Sequence, residues 1–103
     1  MKHFHRTSVL PDAALAEADA FFPTIGMNQT AATPRGRRFE GSVGEPADRV
    51  SVDLTVRMEG GHYTFVEAQT SAMGESRLDR GVKHYFTRLH RLADPRYALT
   101  ASY

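Results

Sequence analysis

The sequence predicts an α+β domain, with element order β-α-β-β-β-β-α: a curved antiparallel sheet of five strands with two helices packed on one face. Three stretches carry that expectation. Val50, Val52, Leu54, Val56 and Met58 alternate with Ser51, Asp53, Thr55 and Arg57, the period of a strand with one face in a core. Gly60-Gly61 then offers two residues tolerant of positive φ before a β-branched and aromatic run ending at Gln69, which predicts a tight hairpin. Further on, Leu78, Val82, Tyr85, Phe86, Leu89 and Leu92 recur at spacings of three and four, the apolar stripe of an amphipathic helix.

The remaining elements follow in chain order. Residues 2–9 read as a first strand. Pro11-Asp12 opens a helix, because proline suits the first helical position and aspartate the positive end of the helix dipole. Ala14, Leu15, Ala18, Phe21 and Phe22 form its apolar face; Pro23 stops it and Gly26 completes the exit. Residues 27–33 read as a strand, joined through a Pro34-Arg35 turn to a strand over 36–43. A six-residue turn over 44–49 leads into the central hairpin. The strand after Gly61 breaks over 70–74, and the last helix runs from Glu75 to Ala93, ended by Asp94-Pro95. The short connections favour a meander of neighbouring strands. The last helix covers the sheet face bearing Val52, Leu54 and Val56, since both apolar surfaces need a partner.

The element order resembles that of TATA-binding-protein-like folds and, in shortened form, of helix-grip folds. A helix-grip resemblance implies a ligand held between a curved sheet and a long C-terminal helix.

Composition narrows the functional classes. The 103 residues carry a formal charge of +1, which provides no strong field for nucleic acid or an anionic membrane. There is no cysteine, hence no disulfide framework, thiolate nucleophile or cysteine metal site. No apolar run approaches the length of a membrane span or a signal core, so the expected location is cytoplasmic, and Asn28-Gln29-Thr30 reads as a glycosylation pattern by chance. Phosphate-loop and dinucleotide spacings are missing among Gly36, Gly41 and Gly44, and no serine lies in a nucleophile elbow. His3 and His5 share a strand face, but no metal-ligand spacing supports them. No catalytic residue, metal or cofactor is expected.

With Gly60-Gly61 as a two-residue turn, Met58 faces Tyr63, Val56 faces Phe65 and Leu54 faces Glu67, all on the core side. The turn over 44–49 sets Phe39 opposite Leu54 and Arg37 opposite Val56. This places the Glu67 carboxylate on an apolar face beside Arg37. The expectation is a pocket for a small apolar or amphipathic ligand, walled by Arg37, Phe39, Leu54, Tyr63, Phe65, Glu67 and Phe86. A bulge turning Glu67 to solvent, or a structural ion pair, is the competing reading.

Two surface readings complete the set. Residues 71–103 carry six Lys/Arg against three Asp/Glu. Arg77, Arg80, Lys83, His84, Arg88 and Arg91 form a basic helix face that could meet nucleic-acid phosphates, although a solvated face with an Asp79–Lys83 pair explains it as well. The outer sheet face, expected to bear Asp53, Thr55, Arg57, Thr64, Val66 and Ala68, and the uncharged edge strand 27–33 suit a protein partner or self-association. A non-enzymatic binding or accessory module acting through protein contacts is the leading expectation. Ligand binding and nucleic-acid binding follow.

Overall fold

A computed structural model describes residues 1–43, 48–73 and 76–94. It contains strands β1 (Lys2–Thr7), β2 (Met27–Thr33), β3 (Gly36–Val43), β4 (Asp48–Glu59) and β5 (Tyr63–Thr70), and helices α1 (Pro11–Phe21) and α2 (Arg77–Ala93). A 3-10 turn over Phe22–Ile25 extends α1 to Gly26, whose φ of +85° ends it. The sheet order is β1-β5-β4-β3-β2, antiparallel at every pairing. β2 to β5 form the expected meander, and β1 returns beside β5.

Both helices lie on one face. Ala14, Leu15, Ala18 and Phe21 of α1 and Leu78, Val82, Tyr85 and Leu89 of α2 are buried against Val52, Leu54 and Val56 of β4 and Val66 and Ala68 of β5. Phe22 stacks on Phe39 with ring centroids 4.8 Å apart. Fully burying each large apolar side chain is worth about 1.5–3 kcal/mol before conformational entropy opposes it. The Tyr85 hydroxyl donates to the Ala14 carbonyl at 2.7 Å. Burial first, then the nearby carboxylates of Glu17 and Asp19, push its pKa up. Gly41, opposite Met27, is required for close approach: a Cβ there would lie 2.2 Å from the Gly26 carbonyl oxygen.

The structure corrects the expected hairpin register. Glu59 pairs with Tyr63, so Gly60, Gly61 and His62 make a three-residue loop, with φ +63° and +72° at the glycines. One added loop residue inverts every side chain of β5. Val56 therefore faces Val66 and Leu54 faces Ala68; Tyr63, Phe65 and Glu67 project from the opposite face. The β3–β4 register also differs, with Phe39 opposite Val52 and Arg37 opposite Leu54. That slip is two residues, so Phe39 and Arg37 keep the helix side.

Smaller differences have local causes. β1 stops at Thr7 rather than Val9 because the Thr7 hydroxyl accepts from the Val9 amide at 3.1 Å and bends the chain. β4 starts at Asp48, within the expected turn; residues 44–47 of that turn lie outside the described residues. Helix α2 starts at Arg77 with Ser76 as its cap, and Glu75, its expected start, lies outside them too. Met58 and Leu92, expected in the core, are 43% and 53% exposed, since each sits at the end of its element, past the facing layer.

Candidate interaction surfaces

The expected pocket residues do not converge. Phe39 and Leu54 are buried in the core, and Phe86 stacks on His5 with centroids 4.9 Å apart. Arg37 reaches α1, donating from Nε to Asp19 at 3.0 Å and from Nη1 to the carbonyls of Thr33 and Gly36. Tyr63, Phe65 and Glu67 lie across the sheet from them. The space between α2 and the sheet is occupied by the side chains of Leu78, Val82, Tyr85, Leu89, Val66 and Ala68. Arg37 and Glu67 thus share no site.

The register that empties the pocket builds a surface instead. Among the described residues nothing covers the outer sheet face, which carries Lys2, Phe4 and Arg6 of β1, Tyr63, Phe65, Glu67 and Gln69 of β5, and Asp53, Thr55, Arg57 and Glu59 of β4. Val66, Ala68 and Thr64, expected here, are buried on the other side. Phe4 and Phe65 rings lie 5.5 Å apart. The Arg57 guanidinium sits 4.5 Å, and that of Arg6 5.3 Å, from the Phe65 centroid, within cation–π range. Phe4 is 55% and Tyr63 53% exposed.

Charges on this face are neutralised locally. Arg6 donates to Glu59 at 3.0 Å and Arg57 lies 3.5 Å from the same carboxylate. Arg38 of β3 contacts Asp53 at 2.6 Å and Glu40 at 3.3 Å. The hydrogen bond from Arg6 leads the effects that hold Glu59 below its ordinary pKa. Such exposed pairs contribute little to stability, but they hold the arginines in place around the rings. The result is an aromatic patch in a balanced ionic frame.

The basic face of α2 is built differently. Arg77, Arg80, Lys83, His84, Arg88 and Arg91 are all exposed. Arg88 forms an ion pair with Glu17 of α1, and its guanidinium lies 5.3 Å from the Phe21 ring. Among the described residues, Arg77, Arg80, His84 and Arg91 have no carboxylate partner. Beside this row, Glu17, Phe21, His84, Thr87, Arg88, Arg91 and Leu92 line an open groove of about 810 Å³.

A third cluster escaped the sequence reading. Asp79, 1% exposed, accepts hydrogen bonds from His3 Nε2 at 2.7 Å, the Thr70 hydroxyl at 2.8 Å and the Ser76 hydroxyl at 2.5 Å. The Asp79 amide in turn donates to the Ser76 oxygen at 3.0 Å. Burial alone would raise the carboxyl pKa; the bonds from Ser76, His3 and Thr70 outweigh it and hold the group below its ordinary value. The spacing Ser76-x-x-Asp79 is the legible signal, a capping-box pattern that places the acid in the first helical turn. The Thr70 and Ser76 hydroxyls meet the carboxylate rather than the His3 ring, so neither is aligned on His3 as a nucleophile would need.

Compared with models of known protein families and with curated proteins, the chain matches none. Among the described residues, no group of three or more His, Cys, Asp or Glu is arranged to hold a metal ion. No helix among them is long and apolar enough to cross a membrane.

Proposed function

We propose that this domain is a non-enzymatic binding module that meets a partner protein on its open sheet face. The observation carrying this reading is the exposed Phe4 ring packed on the half-buried Phe65 with Arg6 and Arg57 around them, on a face that neither described helix covers. Aromatic and arginine side chains are the types that anchor protein interfaces. Because Arg6 and Arg57 share Glu59, and Arg38 beside them holds Asp53 and Glu40, the face suits a protein surface of mixed charge better than a polyphosphate.

The fold description that accompanies this proposal is a shortened helix-grip arrangement, supported by the long helix α2 crossing β1 and β5. Its sheet–helix space is filled, which favours the module over the small-ligand reading. The test is a photo-crosslinking amino acid placed at Phe4 and, as control, at Ala16 on α1, in an extract of the source cells. The module predicts a discrete crosslinked protein, a second copy of the chain included, from position 4 and none from position 16. Equal or absent crosslinking at both positions contradicts it.

A further inference from the structure

The helix layer offers a second surface with its own chemistry. Arg77, Arg80, His84, Arg88 and Arg91 fall at intervals of three and four along α2, so they form one file about 21 Å long at 1.5 Å per residue. Unlike the arginines of the sheet face, most of this file has no carboxylate among the described residues. Arg88 is the exception, and what it holds is a carboxylate, Glu17. The groove lies beside the C-terminal half of the file, from His84 to Leu92, with the Phe21 ring at its base and the 53% exposed Leu92 at its end; Arg77 and Arg80 continue the file beyond it.

We propose that this groove binds an acidic peptide segment of a partner protein, in extended form, with acidic side chains on the file and an apolar side chain over Phe21 and Leu92. Charge complementarity selects an anion, and the apolar floor selects one that carries hydrocarbon. Length fits as well: at about 3.3 Å per residue, six or seven extended residues span the file. Nucleic acid fits less well. The opposite wall is α1, whose Glu17 lines the groove, so a polyphosphate wider than the file meets a carboxylate there. This site is independent of the sheet face, and neither proposal rests on the other.

The probes are three fluorescent ligands titrated at low salt: the peptide Glu-Leu-Glu-Glu-Phe-Glu-Leu-Glu, an all-glutamate peptide of the same length, and a twelve-nucleotide single-stranded DNA. The mixed peptide is expected to bind about tenfold or more tightly than the all-glutamate peptide, from burial of its apolar side chains, and more tightly than the DNA. A His84→Ser/Arg91→Ser variant, altered only at exposed positions, is expected to lose most of that affinity with an unchanged circular-dichroism melt. Leu92→Ser is expected to narrow the gap between the two peptides, and Phe4→Ser to change nothing. Tighter binding of the DNA, equal affinity for the two peptides, no binding of the mixed peptide, or full binding by the double variant each overturns the proposal.

Discussion

The imidazole of His3, in the first strand, donates a 2.7 Å hydrogen bond to the buried carboxylate of Asp79, in the first turn of the last helix. Since Asp79 is held ionised by its donors, the ring must present N–H at Nε2. The contact ties the β1 edge of the sheet to the start of α2, and Thr70 at the end of β5 completes it.

Removing the carboxylate should therefore loosen three elements together. Asp79→Ala strands the donors of His3, Thr70 and Ser76 and weakens the helix cap, a loss of about 3 kcal/mol. Urea denaturation measures it. Asp79→Asn, which keeps the acceptor oxygen, should cost clearly less; equal losses would mean that the acceptor is unimportant.

The same carboxylate gives an acid limb to stability. Its folded pKa lies below the ordinary 3.8, so its contribution is fully present above that value and is lost as pH falls through the folded pKa. The urea midpoint of the wild type should fall below about pH 4 more steeply than that of Asp79→Asn.

His5 adds a second limb at higher pH. Burial first, and then His90, lower its pKa from 6.5, so the neutral ring is the one the fold accepts against Phe86. Stability is retained above 6.5 and lost as pH falls from there towards the folded value. His5→Gln should flatten the midpoint between pH 7 and pH 5; an unchanged slope contradicts the assignment.

Close packing sets a fourth prediction. With 2.2 Å between a Cβ at position 41 and the Gly26 carbonyl oxygen, Gly41→Ala must move backbone, at a cost of about 1–3 kcal/mol. Thermal unfolding read by circular dichroism reports it. Gly60→Ala has no clash and should lose only about 1 kcal/mol, from its positive φ.

The elements were legible in the sequence because periodicity, proline and glycine mark them without reference to the rest of the chain. The face of β5 was not. Its two faces, Tyr63, Phe65, Glu67 and Gln69 against Thr64, Val66, Ala68 and Thr70, both alternate cleanly, and hydrophobic size favoured the aromatic set. One loop residue, His62, decides between them. The anomaly was itself the warning: Glu67 in an apolar layer disappears once the loop has three residues. Phe4, which pairs with Phe65 across the β1–β5 boundary, was then left on the open face by a pairing between chain ends that local pattern does not encode. The basic file of α2 was legible from helical spacing alone, whereas its groove required the position of Phe21 on α1.

The open aromatic face is the centre of this account, and it depends on which way β5 points. Solvent paramagnetic relaxation, measured by NMR with a neutral soluble relaxation agent, reads that directly. Strong enhancement at the Phe4 and Tyr63 rings with little at the Val66 and Ala68 methyls is the expected result. Strong enhancement at the Val66 and Ala68 methyls, with the Tyr63 ring protected, would contradict the register and remove the surface built on it.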